Sequence, residues 1–252
     1  MENISYKNVG LFQKTELLHK EKHSNLKWRC LGKDCELSCC CIPHRATITI
    51  NEVIPLSRFF PVVFVRTDNE DGTFLESINI YYKLPGSEGC CIYLDPNLGC
   101  MLGDKKPIAC KQYPFMVQQD GKNNMFVNID LTCPGFSYTE GQSVLDEEGN
   151  VTSYFMEDFL NPSIAHIKNR KETEDFIRQL LELDLIREYY AHFNNQKIVI
   201  QYRAVDFERL LKLSDKDFKM LALKGYLSLI YAHLHSIQNL SLLVEKAVIT
   251  QR

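Results

Sequence analysis

Residues 28–41 read WRCLGKDCELSCCC, and five thiols in fourteen residues decide how the rest of the chain is read. Outward from Cys30, Cys35, Cys39, Cys40 and Cys41, the stretches GCCIYLDPNLGC (89–100), MLGDKKPIACKQYPF (101–115) and LTCPG (131–135) add Cys90, Cys91, Cys100, Cys110 and Cys133. All ten cysteines of the 252-residue chain therefore fall between Cys30 and Cys133, and the last 119 residues hold none. Short turns that return a thiolate every few residues are how a chain wraps a soft-ligand ion. Neighbouring side chains diverge in both helix and strand, so consecutive cysteines do not readily share one ion. Cys41 and Cys90, the extra member of each run, are read as spectators. Cys30, Cys35, Cys39, Cys40, Cys91, Cys100, Cys110 and Cys133 are the candidate metal ligands.

The composition is that of a folded chain, with 45% hydrophobic and 24% charged residues. A formal charge of -3 supplies no basic field for nucleic acid. The first residues lack the apolar core of a secretory signal, and no stretch approaches the length of a membrane span, so a reducing cytoplasm is the expected setting. There, closely spaced thiols favour metal over disulfides, although an even cysteine count leaves an oxidised framework open.

Residues 1–26 read as an N-terminal arm. Arg45 to Ile50 alternates like a half-buried strand, after which Asn51 is placed to cap a short helix running toward Phe60. Two hairpins are expected, 61–66 with 77–84 across TDNEDGT, and 115–119 with 124–131 across QDGKN. From about Ser153 the period turns helical. Thr173 is placed as the cap of a helix carrying Phe176, Ile177, Leu180, Ile186 and Tyr190. KIVIQY (197–202) reads as a strand, and Ser214 with Asp217 as a capping box before one long helix through Leu234. His233 and His235, two apart, point to different sides and read as structural. His44 is a possible substitute ligand in CIPH.

The order CLGKDCELSCC, CIYLD, LGC, KPIACKQYPF and CPG resembles the YkgJ-type cysteine-cluster proteins, and the resemblance covers residues 28–136. It implies a zinc- or iron-chelating domain held by the eight cysteines named above. Lys106-Pro107 stands where that family has Arg-Pro, which loses a bidentate fork. A similar cysteine domain occurs in flagellin lysine N-methylases, which implies an iron-sulfur cluster and S-adenosylmethionine chemistry, but no G-x-G-x-x-G nucleotide turn accompanies it here. The tail from Tyr202 to Leu243 is similar to the closing segment of SapC-type proteins, which are associated with surface-layer and peptide-modification loci.

Together these readings predict an α+β fold. An N-terminal arm (1–26) precedes an irregular cysteine-rich metal-binding domain with short strands (27–140) and a mainly helical C-terminal domain (141–252). The expected cofactor is a 4Fe-4S iron-sulfur cluster or zinc, which spacing cannot separate. The expected function is a thiolate-ligated metal protein acting as an accessory in protein modification or redox chemistry. A methyltransferase-like enzyme and a zinc-stabilised adaptor are the alternatives. A protein partner or protein substrate would meet the helical half; nucleic acid and a membrane span are not expected.

Overall fold

The computed structural model describes residues 14–35, 45–87, 89–95, 97–120, 122, 124–193 and 197–250. Cys39, Cys40, Cys41 and His44 lie outside the described residues. The fold is mixed α and β, as expected, with several small sheets.

In chain order the strands are β1 (Thr15–Leu17), β2 (Lys27–Trp28), β3 (Arg45–Ile48), β4 (Val62–Asp68), β5 (Phe74–Tyr81), β6 (Leu94–Asp95) and β7 (Gly99–Cys100). They continue as β8 (Phe115–Gln119), β9 (Met125–Asp130), β10 (Phe136–Ser137), β11 (Gln142–Ser143), β12 (Ile186–Phe193) and β13 (Ile198–Val205). The α-helices are α1 (Lys20–His23), α2 (Ile50–Leu56), α3 (Ile108–Gln112), α4 (Ser153–Phe155), α5 (Asn161–Glu182), α6 (Phe207–Leu211), α7 (Asp215–Leu223), α8 (Tyr226–Ser236) and α9 (Leu240–Thr250).

The chain forms two compact units of non-contiguous segments: residues 1–43, 94–101 and 110–164 in the first, and 44–93, 102–109 and 165–252 in the second. The first unit is built around Trp28. Its strand β2 lies between β10 and β11, while β1, β9 and β8 form a second small sheet. The indole packs edge-on against Phe115, Phe155 and Phe159 at centroid distances of 5.7, 6.0 and 5.1 Å, an arrangement the aromatic quadrupole favours. Gly135 is required by this packing. A Cβ there would stand 2.3 Å from the Arg29 carbonyl oxygen and 2.9 Å from the indole nitrogen.

The second unit is a five-stranded antiparallel sheet in the order β12-β13-β4-β5-β3. Strands β4 and β5 are the expected hairpin across TDNEDGT, in unbroken register from Val62↔Ile80 to Asp68↔Phe74. On one face Val63, Tyr81 and Ile200 form a core with Leu240, Leu243 and Val244 of α9. On the other, Phe64 meets the ring of His233 from α8, edge-on at 5.0 Å.

Four local expectations are corrected. Helix α2 is entered from Thr49 rather than capped by Asn51, because the Glu52 carboxylate reaches back and accepts the Thr49 amide at 3.2 Å. Thr173 lies inside α5, where its hydroxyl donates to the Asn169 carbonyl and accepts from the Ile50 amide. The helix expected to carry Ile186 and Tyr190 ends at Glu182, and both belong to β12. Ser214 does cap α7, accepting from the Asp217 amide, but Gly225 at φ 73° then divides the expected single helix into α7 and α8.

Candidate binding site

The described thiols do not assemble into a metal centre. Cys30 and Cys110 are exposed, Cys35, Cys91 and Cys100 half-buried, and Cys133 buried. Cys30, Cys35, Cys100, Cys110 and Cys133 belong to the first unit and Cys91 to the second. Around Cys133 two further thiols, Cys35 and Cys30, are within electrostatic reach. Burial pushes its thiol up, the Trp28 N–H and Gly135 backbone pull it back, and Cys35 and Cys30 add to the rise. The Trp28 Nε1–H donates to Cys133 Sγ at 3.4 Å. A buried, protonated thiol under an indole is a small packing residue, not a ready ligand.

Among the described residues no group of three or more His, Cys, Asp or Glu side chains is placed to hold a metal ion. The reading of Cys30, Cys35, Cys91, Cys100, Cys110 and Cys133 as part of a metal-binding cysteine cluster, zinc or iron-sulfur, is corrected accordingly. Cys39 and Cys40 lie outside the described residues. Spacing supplied the thiols, but ligation also needs their side chains to converge, and Cys133 is turned into an aromatic core.

The site that does form is in the second unit, where β13 meets β4. The two strands share a single register pair, Arg203↔Phe64, although β13 pairs with β12 along its whole length. On one side of that pair α8 takes over the backbone donors. The Val205 N–H donates to His233 Nε2 at 3.0 Å and the Val62 N–H to Ser236 Oγ at 2.9 Å. On the other side, where two further residues along each strand would set Gln201 against Arg66, the strands diverge around a depression of about 640 Å³, within the range of ligand sites. Its lining includes Arg45, Arg66, Arg187, Arg203, Tyr81 and Tyr202.

Four guanidiniums are held there by different means. Arg66 Nε donates to Asp68 at 2.7 Å, and its guanidinium carbon stands 4.0 Å over the Phe74 ring. Arg187 pairs with Asp184, which Arg209 also engages. Arg45 is hydrogen-bonded to Tyr81. Arg203 Nη1 donates to Glu76 Oε2 at 2.6 Å. Glu76 is buried, its Oε1 has no partner among the described residues, and burial pushes its carboxyl up against the opposing pull of Arg203. Glu188, also in the lining, already accepts from the Tyr190 hydroxyl at 2.6 Å and from Gln201 Nε2 at 2.8 Å.

The second unit is thus an α-backed antiparallel sheet with a guanidinium-rich depression where β13 meets β4. The chain belongs to the SapC family, whose model matches residues 18–243. The tail's likeness to SapC is borne out and extends through the thiol-bearing stretches, whereas the likeness to the cysteine-cluster family is not shown. No curated protein and no solved structure matches the chain. Among the described residues no helix is long and apolar enough to cross a membrane.

None of the arginines was singled out in the sequence. Each is an ordinary charged residue in a strand, at positions 45, 66, 187 and 203, and the sheet order β12-β13-β4-β5-β3 brings them to one place.

Proposed function

We propose that this SapC-family protein is an accessory in protein modification that holds a protein partner in the depression beside the Arg203↔Phe64 pair. The observation that supports this reading is the open seam: a sheet interrupted at its centre presents polar, donor-rich side chains in a concavity of ligand-binding size. In this reading the partner meets β12 and β13, within residues 141–252, together with β3, β4 and β5.

Site-specific photo-crosslinking in the native cell tests it. A photoreactive residue at Gln201, which lines the depression, should attach a defined protein. The same residue at Glu208, on exposed α6 and outside the lining, should not. No adduct from position 201, or the same set from both positions, contradicts the reading.

A further inference from the structure

We propose that the depression recognises an acidic peptide segment in extended conformation, which enters where β13 and β4 part. This deepens the partner reading and rests on it. The first argument is donor excess. A guanidinium carries five N–H donors in a fixed fork, and Arg66, Arg187 and Arg203 each engage a single carboxylate in this structure. Asp184 serves both Arg187 and Arg209, and Arg209 also reaches Asp206 at 3.7 Å. Glu188, which shares the lining, accepts at one oxygen from Tyr190 and at the other from Gln201. Four guanidiniums share the lining with the carboxylates of Asp68 and Glu188 and keep N–H donors beyond their present pairs, and the fork geometry of arginine matches carboxylates two bonds at a time.

The second argument is shape. Strands β13 and β4 share the single pair Arg203↔Phe64, and Gln201 and Arg66, two residues beyond it on each strand, line the depression. A depression beside two strands that pair at a single position is a setting in which an extended chain can lie along a strand. Arg66 and Arg203 lie on the two strands that bound it, so side chains on both edges of such a peptide meet a guanidinium.

The probe is acetyl-tetraglutamate amide, titrated into the full chain and followed by amide chemical shifts, with tetralysine as control. Tetraglutamate is expected to shift resonances of β4 and β13, with affinity falling about tenfold in Arg66→Gln/Arg187→Gln. Both substituted arginines pair with surface carboxylates, Asp68 and Asp184, so the variant buries no unpaired charge. Arg66→Lys/Arg187→Lys keeps the charge without the fork and should also weaken binding, which a general charge effect would not do.

No shift in the wild type, equal affinity in the variants, or equal binding of tetralysine overturns the inference. Tighter binding of inorganic pyrophosphate than of tetraglutamate overturns it in favour of a phosphoryl ligand. A partner crosslinked from position 201 together with no tetraglutamate binding removes the acidic segment and leaves the partner reading intact.

Discussion

His233 illustrates how one side chain joins sheet to helix. Its Nε2 accepts the Val205 amide, a bond that only the unprotonated nitrogen can make, and burial lowers its pKa from 6.5 to about 4. Above pH 6.5 the ring is neutral in folded and unfolded chains alike, so its contribution is fully present. As pH falls toward 4 the unfolded chain takes up a proton that the folded chain refuses, and stability drops by on the order of 3 kcal/mol. Denaturant midpoints measured from pH 7 to pH 4 should fall more steeply for the wild type than for His233→Gln, which retains an acceptor but cannot titrate. Parallel profiles would contradict the assignment. The thiols carry a second prediction at this scale. Cys133, buried and raised in pKa, should react with iodoacetamide at pH 7.5 at least tenfold more slowly than exposed Cys30. Peptide mass mapping of a time course reads the two rates, and equal rates would mean that Cys133 is not sealed beneath Trp28.

Elements whose signals are local were legible in the sequence. The β4–β5 and β8–β9 hairpins follow from turn-rich residues between β-branched and aromatic runs. The end of α5 was not legible, because Leu180, Leu181, Leu183 and Ile186 continue a helical spacing past the true boundary. The chain turns at Asp184, the sole non-glycine residue at positive φ (56°) among those described, and IREYYAHF then alternates as β12. Asp tolerates that backbone better than most residues, a weak cue beside four apolar positions. The Gly135 requirement also depends on tertiary contact. Gly135→Ala is expected to lose about 1–3 kcal/mol, since its Cβ would meet backbone at Arg29 that cannot swing aside. Thermal melting against wild type checks this, and an unchanged midpoint would show that β2 can shift to admit the methyl group.

At the scale of the molecule, the candidate site arises from strands far apart in sequence meeting at one residue pair. The cysteine pattern was the loudest feature of the chain and pointed elsewhere, because spacing reports only that thiols are near along the chain. The arginines carried no such pattern. Ser236 and His233 show how the ladder ends on the other side of that pair: by taking the backbone donors of Val62 and Val205, α8 substitutes for ladder bonds that β4 and β13 do not make. Ser236→Ala would leave the buried Val62 N–H without its acceptor, so a loss of about 1–3 kcal/mol is expected in chemical denaturation. A neutral substitution would mean that the strands close on each other when the wedge is removed.

The most direct test of the account is the affinity of the partner identified by crosslinking at position 201, measured by calorimetry with wild type and with Arg66→Gln/Arg187→Gln. A fall of about tenfold or more in the variant, with its melting temperature unchanged, is the predicted result. Equal affinities would contradict the depression as the partner's site.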